Sequence, residues 1–199
     1  MITEGSRRSG STWLPYVLLS ALSALLMLGG DPVTSMLRYE RAAVASGEWW
    51  RLLSANFVHL GWWHWSFNVA SLALLVFLCP EQPSIREWLT RILLIGIGMC
   101  LGLHLFTPEL KNYVGLSGLA YGLFVFGFLR QIVAGDRFAI ACLGFVLARI
   151  VWELAVGAPP SEEVLIGGSV VATAFTAVRN RSSAPWPRRC PISASSPSA

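Results

Sequence analysis

Long apolar runs, each closed by Pro, Gly or charged residues, set the pattern of this chain. The first runs from Trp13 to Leu28 and stops at Gly29-Gly30-Asp31-Pro32. A polar stretch follows, carrying Arg38, Glu40, Arg41 and Glu48. Further runs cover about Asn56 to Leu78, Thr90 to Phe106, Gly115 to Ile132 and Phe138 to Val156, and a last one begins after Glu162-Glu163. An apolar stretch of roughly 18 or more residues is long enough to cross the hydrocarbon of a bilayer as a helix. Six candidate spans joined by short loops predict an all-α integral membrane protein, a six-transmembrane-helix bundle over residues 13–178. The sixth is expected to be short or truncated: Glu163 to Val178 would reach about 24 Å as a helix against roughly 30 Å of hydrocarbon. Residues 1–12 read as a cytoplasmic segment. From Arg179 the composition turns to Arg, Ser and Pro, which predicts a disordered basic tail over 179–199.

Charge gives the bundle a direction. Of the 199 residues 54% are hydrophobic and 13% charged, against about 25% charged in soluble domains. Lys and Arg accumulate in cytoplasmic loops. With the N-terminus inside, Arg7, Arg8, Arg86, Arg91, Arg130, Arg137, Arg179, Arg181, Arg188 and Arg189 fall on the cytoplasmic side. Only Arg38, Arg41, Arg51 and Lys111 fall outside, so both termini are expected in the cytoplasm. This distribution also accounts for the net charge of +4 without a nucleic-acid partner; the lipid bilayer is the partner the charges imply. Arg7-Arg8 is followed by Ser9-Gly10 with no signal-peptide cleavage site, so the first helix is expected to be retained. The four cysteines, Cys79, Cys100, Cys142 and Cys190, form no C-x-x-C pair, and the first three read as small buried hydrophobes. Arg149 and Glu153 lie one turn apart on the fifth run, where an intramembrane ion pair is expected.

Polar groups inside a span are costly and usually functional, and two clusters stand out. The first holds His59, His64 and Asn68 among Trp49, Trp50, Trp62, Trp63 and Trp65. His64 and Asn68 are four apart and share a helix face. A metal would need a third ligand, and no Cys or Asp nearby completes the set. The second is Tyr113-Val114-Gly115-Leu116-Ser117-Gly118-Leu119-Ala120-Tyr121-Gly122. A serine at a helix N-terminus sits beside free backbone N–H groups in a favourable dipole field, and flanking glycines admit a substrate backbone. Gly118 and Gly122 also form a G-x-x-x-G pair, a common device for helix packing.

The H-x4-H-x3-N pattern from His59 to Asn68, followed by G-x-S-G-x-x-Y from Gly115 to Tyr121, resembles the rhomboid family of intramembrane serine proteases. Within that family the chain looks most like the bacterial rhombosortases. The resemblance implies a serine endopeptidase of the bacterial inner membrane, without cofactor or metal, that cleaves single-span transmembrane-helix substrates. Rhombosortase likeness further implies substrates carrying a C-terminal Gly-rich sorting signal. By the same resemblance Ser117 is the nucleophile, Gly115 and Gly118 flank it, and His64 and Asn68 help hold the oxyanion. His59 supports local structure, and Tyr121 matches an aromatic residue packed on the catalytic His. One departure matters. Family members take their general base from a His on the sixth helix, three residues before a Gly; counting back from Gly168 finds Leu165, and no His follows His104. A catalytically inactive relative that binds membrane helices is therefore the competing expectation. The sixth helix is expected to pack through Gly168 and Ala172 on Gly118 and Gly122, which would bring Leu165 toward Ser117.

Overall fold

A computed structural model describes residues 12–81, 83–108 and 110–156. The chain folds into helices α1 (Leu14–Leu28), α2 (Gly30–Leu37), α3 (Arg41–Ala45), α4 (Arg51–Ser54), α5 (Trp62–Leu78), α6 (Ile85–Phe106), α7 (Ser117–Val133) and α8 (Arg137–Val156). A 3-10 turn spans Ala55–Phe57, and two short strands, β1 (Tyr39–Glu40) and β2 (Asn112–Tyr113), interrupt the helices. The candidate sixth span, Leu165, Gly168, Ala172 and the 179–199 tail lie outside the described residues, as does the side chain of Glu153.

Helix boundaries depart from the apolar runs where local chemistry overrides hydropathy. α6 begins five residues before Thr90 because Ser84 and Glu87 form a reciprocal capping box: the Ser84 hydroxyl accepts from the Glu87 N–H and Glu87 accepts from the Ser84 N–H. Such a cap satisfies two donors that a bare helix start leaves unpaired. The second run is split. Its first residues form the 3-10 turn and an extended link, and α5 begins only at Trp62.

The bundle is apolar on the outside as well as within. α7 sits centrally, with Leu119, Leu123, Phe124 and Phe128 buried against Leu72, Leu75 and Val76 of α5 and Trp88 and Ile92 of α6. The outward faces carry Leu18, Leu22 and Leu25 on α1, Phe67, Leu74 and Phe77 on α5, Leu93, Leu94, Ile97 and Leu101 on α6, and Phe138, Phe145 and Leu147 on α8, all exposed. A helix that is hydrophobic all round belongs in a large core or in lipid, and so large an exposed apolar surface is foreign to a soluble monomer. Among the described residues α6 is long and apolar enough to cross a bilayer, and α1 with α2 passes the same test as a pair bent by 118°.

The polar stretch after α1 is an ordered cap, built by the arginines expected on the outer side. Arg51, nearly buried, donates to Glu48 at 2.7 Å and to the carbonyls of Ser35 at 2.7 Å and Arg38 at 2.9 Å. Arg41 donates to the carbonyls of Leu103, Thr107 and Leu110 at 3.2, 2.7 and 3.1 Å. Those carbonyls lie at and beyond the C-terminus of α6, where a helix leaves acceptors unpaired. At the opposite end of the bundle Glu81 pairs with Arg91 at 2.7 Å and Arg130 at 3.2 Å, joining the loop after α5 to α6 and α7.

The small face of Gly118 and Gly122 is filled by α6: a Cβ on Gly118 would lie 2.6 Å from Met99 Cε, and one on Gly122 would strike Ile95 Cγ2. The G-x-x-x-G notch thus serves the α6–α7 contact, because α6 is the neighbour whose flexible Met99 and branched Ile95 reach into it. The expected packing of Gly168 and Ala172 on these glycines, and with it the placement of Leu165, lies outside the described residues.

Candidate functional site

The site forms where the cap delivers the chain to the start of α7. β1 and β2 pair antiparallel, Tyr39 opposite Tyr113 and Glu40 opposite Asn112, and the Gly115 N–H donates to the Ala55 carbonyl at 3.0 Å. Gly115 has φ +113°, a backbone region that side chains disfavour. The chain then enters α7 with Ser117 as its first residue.

The two sequence clusters meet at Gly115. An added Cβ there would lie 2.6 Å from both Cε1 and Nε2 of His64 and 3.8 Å from Asn68 Nδ2. The imidazole of His64 therefore meets, by its Cε1–Nε2 edge, the backbone two residues before Ser117. Asn68 donates one amide hydrogen to the His64 carbonyl, one turn back, at 2.9 Å; an amide nitrogen carries two donors. His59 is buried and meets His64 edge-to-face with ring centroids 5.0 Å apart. His64 and Asn68 thus face Gly115, two residues before Ser117, with His59 packed on His64. Gly118 faces Met99, and Tyr121 is half-buried at the edge of the main core.

Tyr113 joins this site although the sequence assigned it no role. Its hydroxyl donates to the Gly115 carbonyl at 2.8 Å and accepts from the Gly118 N–H at 3.3 Å, bridging the turn on either side of Ser117. Burial pushes the Tyr113 phenol well above its usual range, outweighing the hydrogen bonds from Ser117 and Gly118 that lower it. It stays protonated. A tyrosine four residues before the serine, next to a glycine-rich turn, was the available signal.

His104 is engaged elsewhere. Its Nδ1 shares a hydrogen bond with the Tyr39 hydroxyl at 3.0 Å, and the Tyr39 phenol is raised by burial, partly offset by Arg41. Among the described residues no group of three His, Cys, Asp or Glu could hold a metal ion.

Residues 46–179 match the Rhomboid domain family. The chain is also 36% identical over 115 residues to "Putative rhomboid protease YdcA" of Bacillus subtilis (strain 168), a match covering 55% of this chain and 53% of that protein. The matched region spans about half the length of that relative. The family match covers well over half of the chain and contains both clusters, from His59 through Tyr121. This chain belongs to the rhomboid family, and is a membrane protein of that family.

Proposed function

We propose that the chain acts as an intramembrane serine endopeptidase, with Ser117 as nucleophile and single-span membrane proteins as substrates. The observation that carries this reading is the closeness of His64 and Asn68 to the bare backbone of Gly115, two residues before Ser117. In the proposed reaction Ser117 Oγ attacks the scissile carbonyl carbon. The oxygen that gains charge then accepts hydrogen bonds from His64 and Asn68. Donors preorganised in a water-poor site are worth roughly 3 kcal/mol each to such a transition state. The rhombosortase-like stretch from Trp49 to Asn68 favours substrates with a C-terminal Gly-rich motif, an apolar helix and a basic cluster. The rhombosortase likeness favours a bacterial inner-membrane location, and the arginine distribution favours both termini in the cytoplasm with the site near the outer face. Residues 13–178 are taken as the membrane domain.

A second reading, a silent relative that holds membrane helices without cutting them, is favoured by one observation. A serine hydroxyl needs a base to take its proton, and the three histidines are His59, His64 and His104. His59 packs on His64, His64 lies on Gly115, and His104 pairs with Tyr39. Labelling with a fluorophosphonate probe separates the two. Ser117-dependent labelling of the purified protein, abolished in Ser117→Ala, supports the protease. Equal labelling of both proteins, or none of either, favours the silent relative.

A further inference from the structure

We infer that Tyr113 is the positioning residue of the Ser117 hydroxyl, through the same phenol oxygen that braces Gly115 and Gly118. The inference rests on Ser117 being the reactive group. A serine side chain at the first position of a helix has three staggered rotamers, and only one can point at an incoming carbonyl. The Tyr113 oxygen is itself held fast: it donates to the Gly115 carbonyl at 2.8 Å and accepts from the Gly118 N–H at 3.3 Å. A hydroxyl with one proton and two acceptor sites then has one acceptor site left, in the turn that brackets Ser117, and by this inference the Ser117 O–H takes that site. The ring is equally constrained. It is buried in a small core with Tyr39, Val44, Leu52, Ala55, Cys100 and Leu110, and its backbone is paired to Tyr39 in the β ladder.

The consequence is geometric coupling. Gly115 lies against His64, so the phenol that places the nucleophile also places the backbone on which the oxyanion side rests. Tyr113 takes no proton in this scheme; it fixes the direction of one. The base that removes the Ser117 proton is a separate group.

The test needs no catalysis. In Ser117→Cys protein in detergent, the pH dependence of alkylation by iodoacetamide gives the apparent pKa of the thiol, with peptide mapping to read position 117 alone. When the thiol ionises, the Tyr113 O–H can turn toward the thiolate, a charge-assisted hydrogen bond stronger than the one it leaves. Tyr113→Phe in this background should raise the midpoint by about one pH unit. Placing 3,5-difluorotyrosine at 113 keeps the shape and makes the phenol a stronger donor, so the midpoint should fall. Opposite shifts are the expected signature, and a fall with difluorotyrosine alone is sufficient should the Phe variant not fold. A thiol midpoint unmoved in every folded variant overturns the inference, whether or not melting temperatures change. Fluorophosphonate labelling of the native serine is a separate readout, so loss of the nucleophile reading and loss of this one are distinguishable.

Discussion

Gly115→Ala should damage the site twice over, and a second glycine allows the two effects to be separated. Gly115 and Gly47 have nearly the same backbone, φ +113° and +109°. A Cβ on Gly47 meets nothing within 4 Å, whereas one on Gly115 would lie 2.6 Å from two atoms of the His64 ring. Holding an alanine in such a conformation costs about 1–3 kcal/mol in either place. At Gly115 the ring must also retreat by roughly 1 Å to restore carbon–carbon contact distance, an overpacking that typically costs another 1–3 kcal/mol. The difference between the two variants is then about 2 kcal/mol, or roughly 6 °C in apparent melting temperature for a chain of this size. Thermal melts in one detergent at one scan rate measure it. A cycle closes the argument: in a His64→Ala background, Gly115→Ala should cost no more than Gly47→Ala. Equal losses for the two alanines in the native background, or an excess at Gly115 that survives removal of the His64 ring, would refute the placement of His64 against Gly115.

Other outcomes follow from the same geometry. Asn68→Ala should leave the melting temperature within a few degrees yet lower Ser117-dependent cleavage by about 10²–10³-fold, since an oxyanion donor acts in the transition state; unchanged turnover removes Asn68 from the site. Arg41→Gln, which strips donors from three carbonyls around the end of α6, should cost about 2 kcal/mol. Arg38→Gln breaks only an exposed pair with Glu40 and should cost under about 1 kcal/mol; thermal melts of both variants compare them. For topology, an impermeant maleimide on intact cells should label Ala45→Cys, in α3 of the cap, and spare Ala134→Cys, at the far end of α7; the reverse pattern inverts the orientation.

The sequence made the membrane class and four of the helix positions legible because both depend on local composition. Apolar runs long enough to span admit few alternatives, and α1, α6, α7 and α8 begin within five residues of the starts read from hydropathy. The meeting of His64 and Asn68 with the serine loop was legible only through family resemblance, since spacing places His64 and Asn68 on one face but says nothing of what that face meets. The ordered cap was not legible. Its stability comes from Arg41 and Arg51 donating to carbonyls as many as 69 residues away, and a carbonyl acceptor leaves no mark in sequence. Tyr113 escaped notice for a related reason: its role depends on partners within five residues of turn whose path is set by the distant Ala55 carbonyl and by β1.

The G-x-x-x-G pair shows how a motif can mark a packing notch without naming what fills it. Gly118 and Gly122 were rightly read as a packing notch, but a notch specifies only that something comes close. Which helix fills it is decided by connection length and by the shape of the intruding side chains. α6 and α7 are joined by a short, ladder-pinned loop, so α6 is bound to lie beside the glycines, and Met99 and Ile95 supply the knobs. This matters for the search for a base. The expectation that Leu165 approaches Ser117 assumes a helix registered on those glycines, and that helix lies outside the described residues. A histidine introduced one at a time at each of positions 162–169 tests the segment without assuming a register. Gain of Ser117-dependent fluorophosphonate labelling at positions three or four apart would mark a helical face turned toward the nucleophile. Gain at none of them would argue that the missing proton acceptor does not come from this segment.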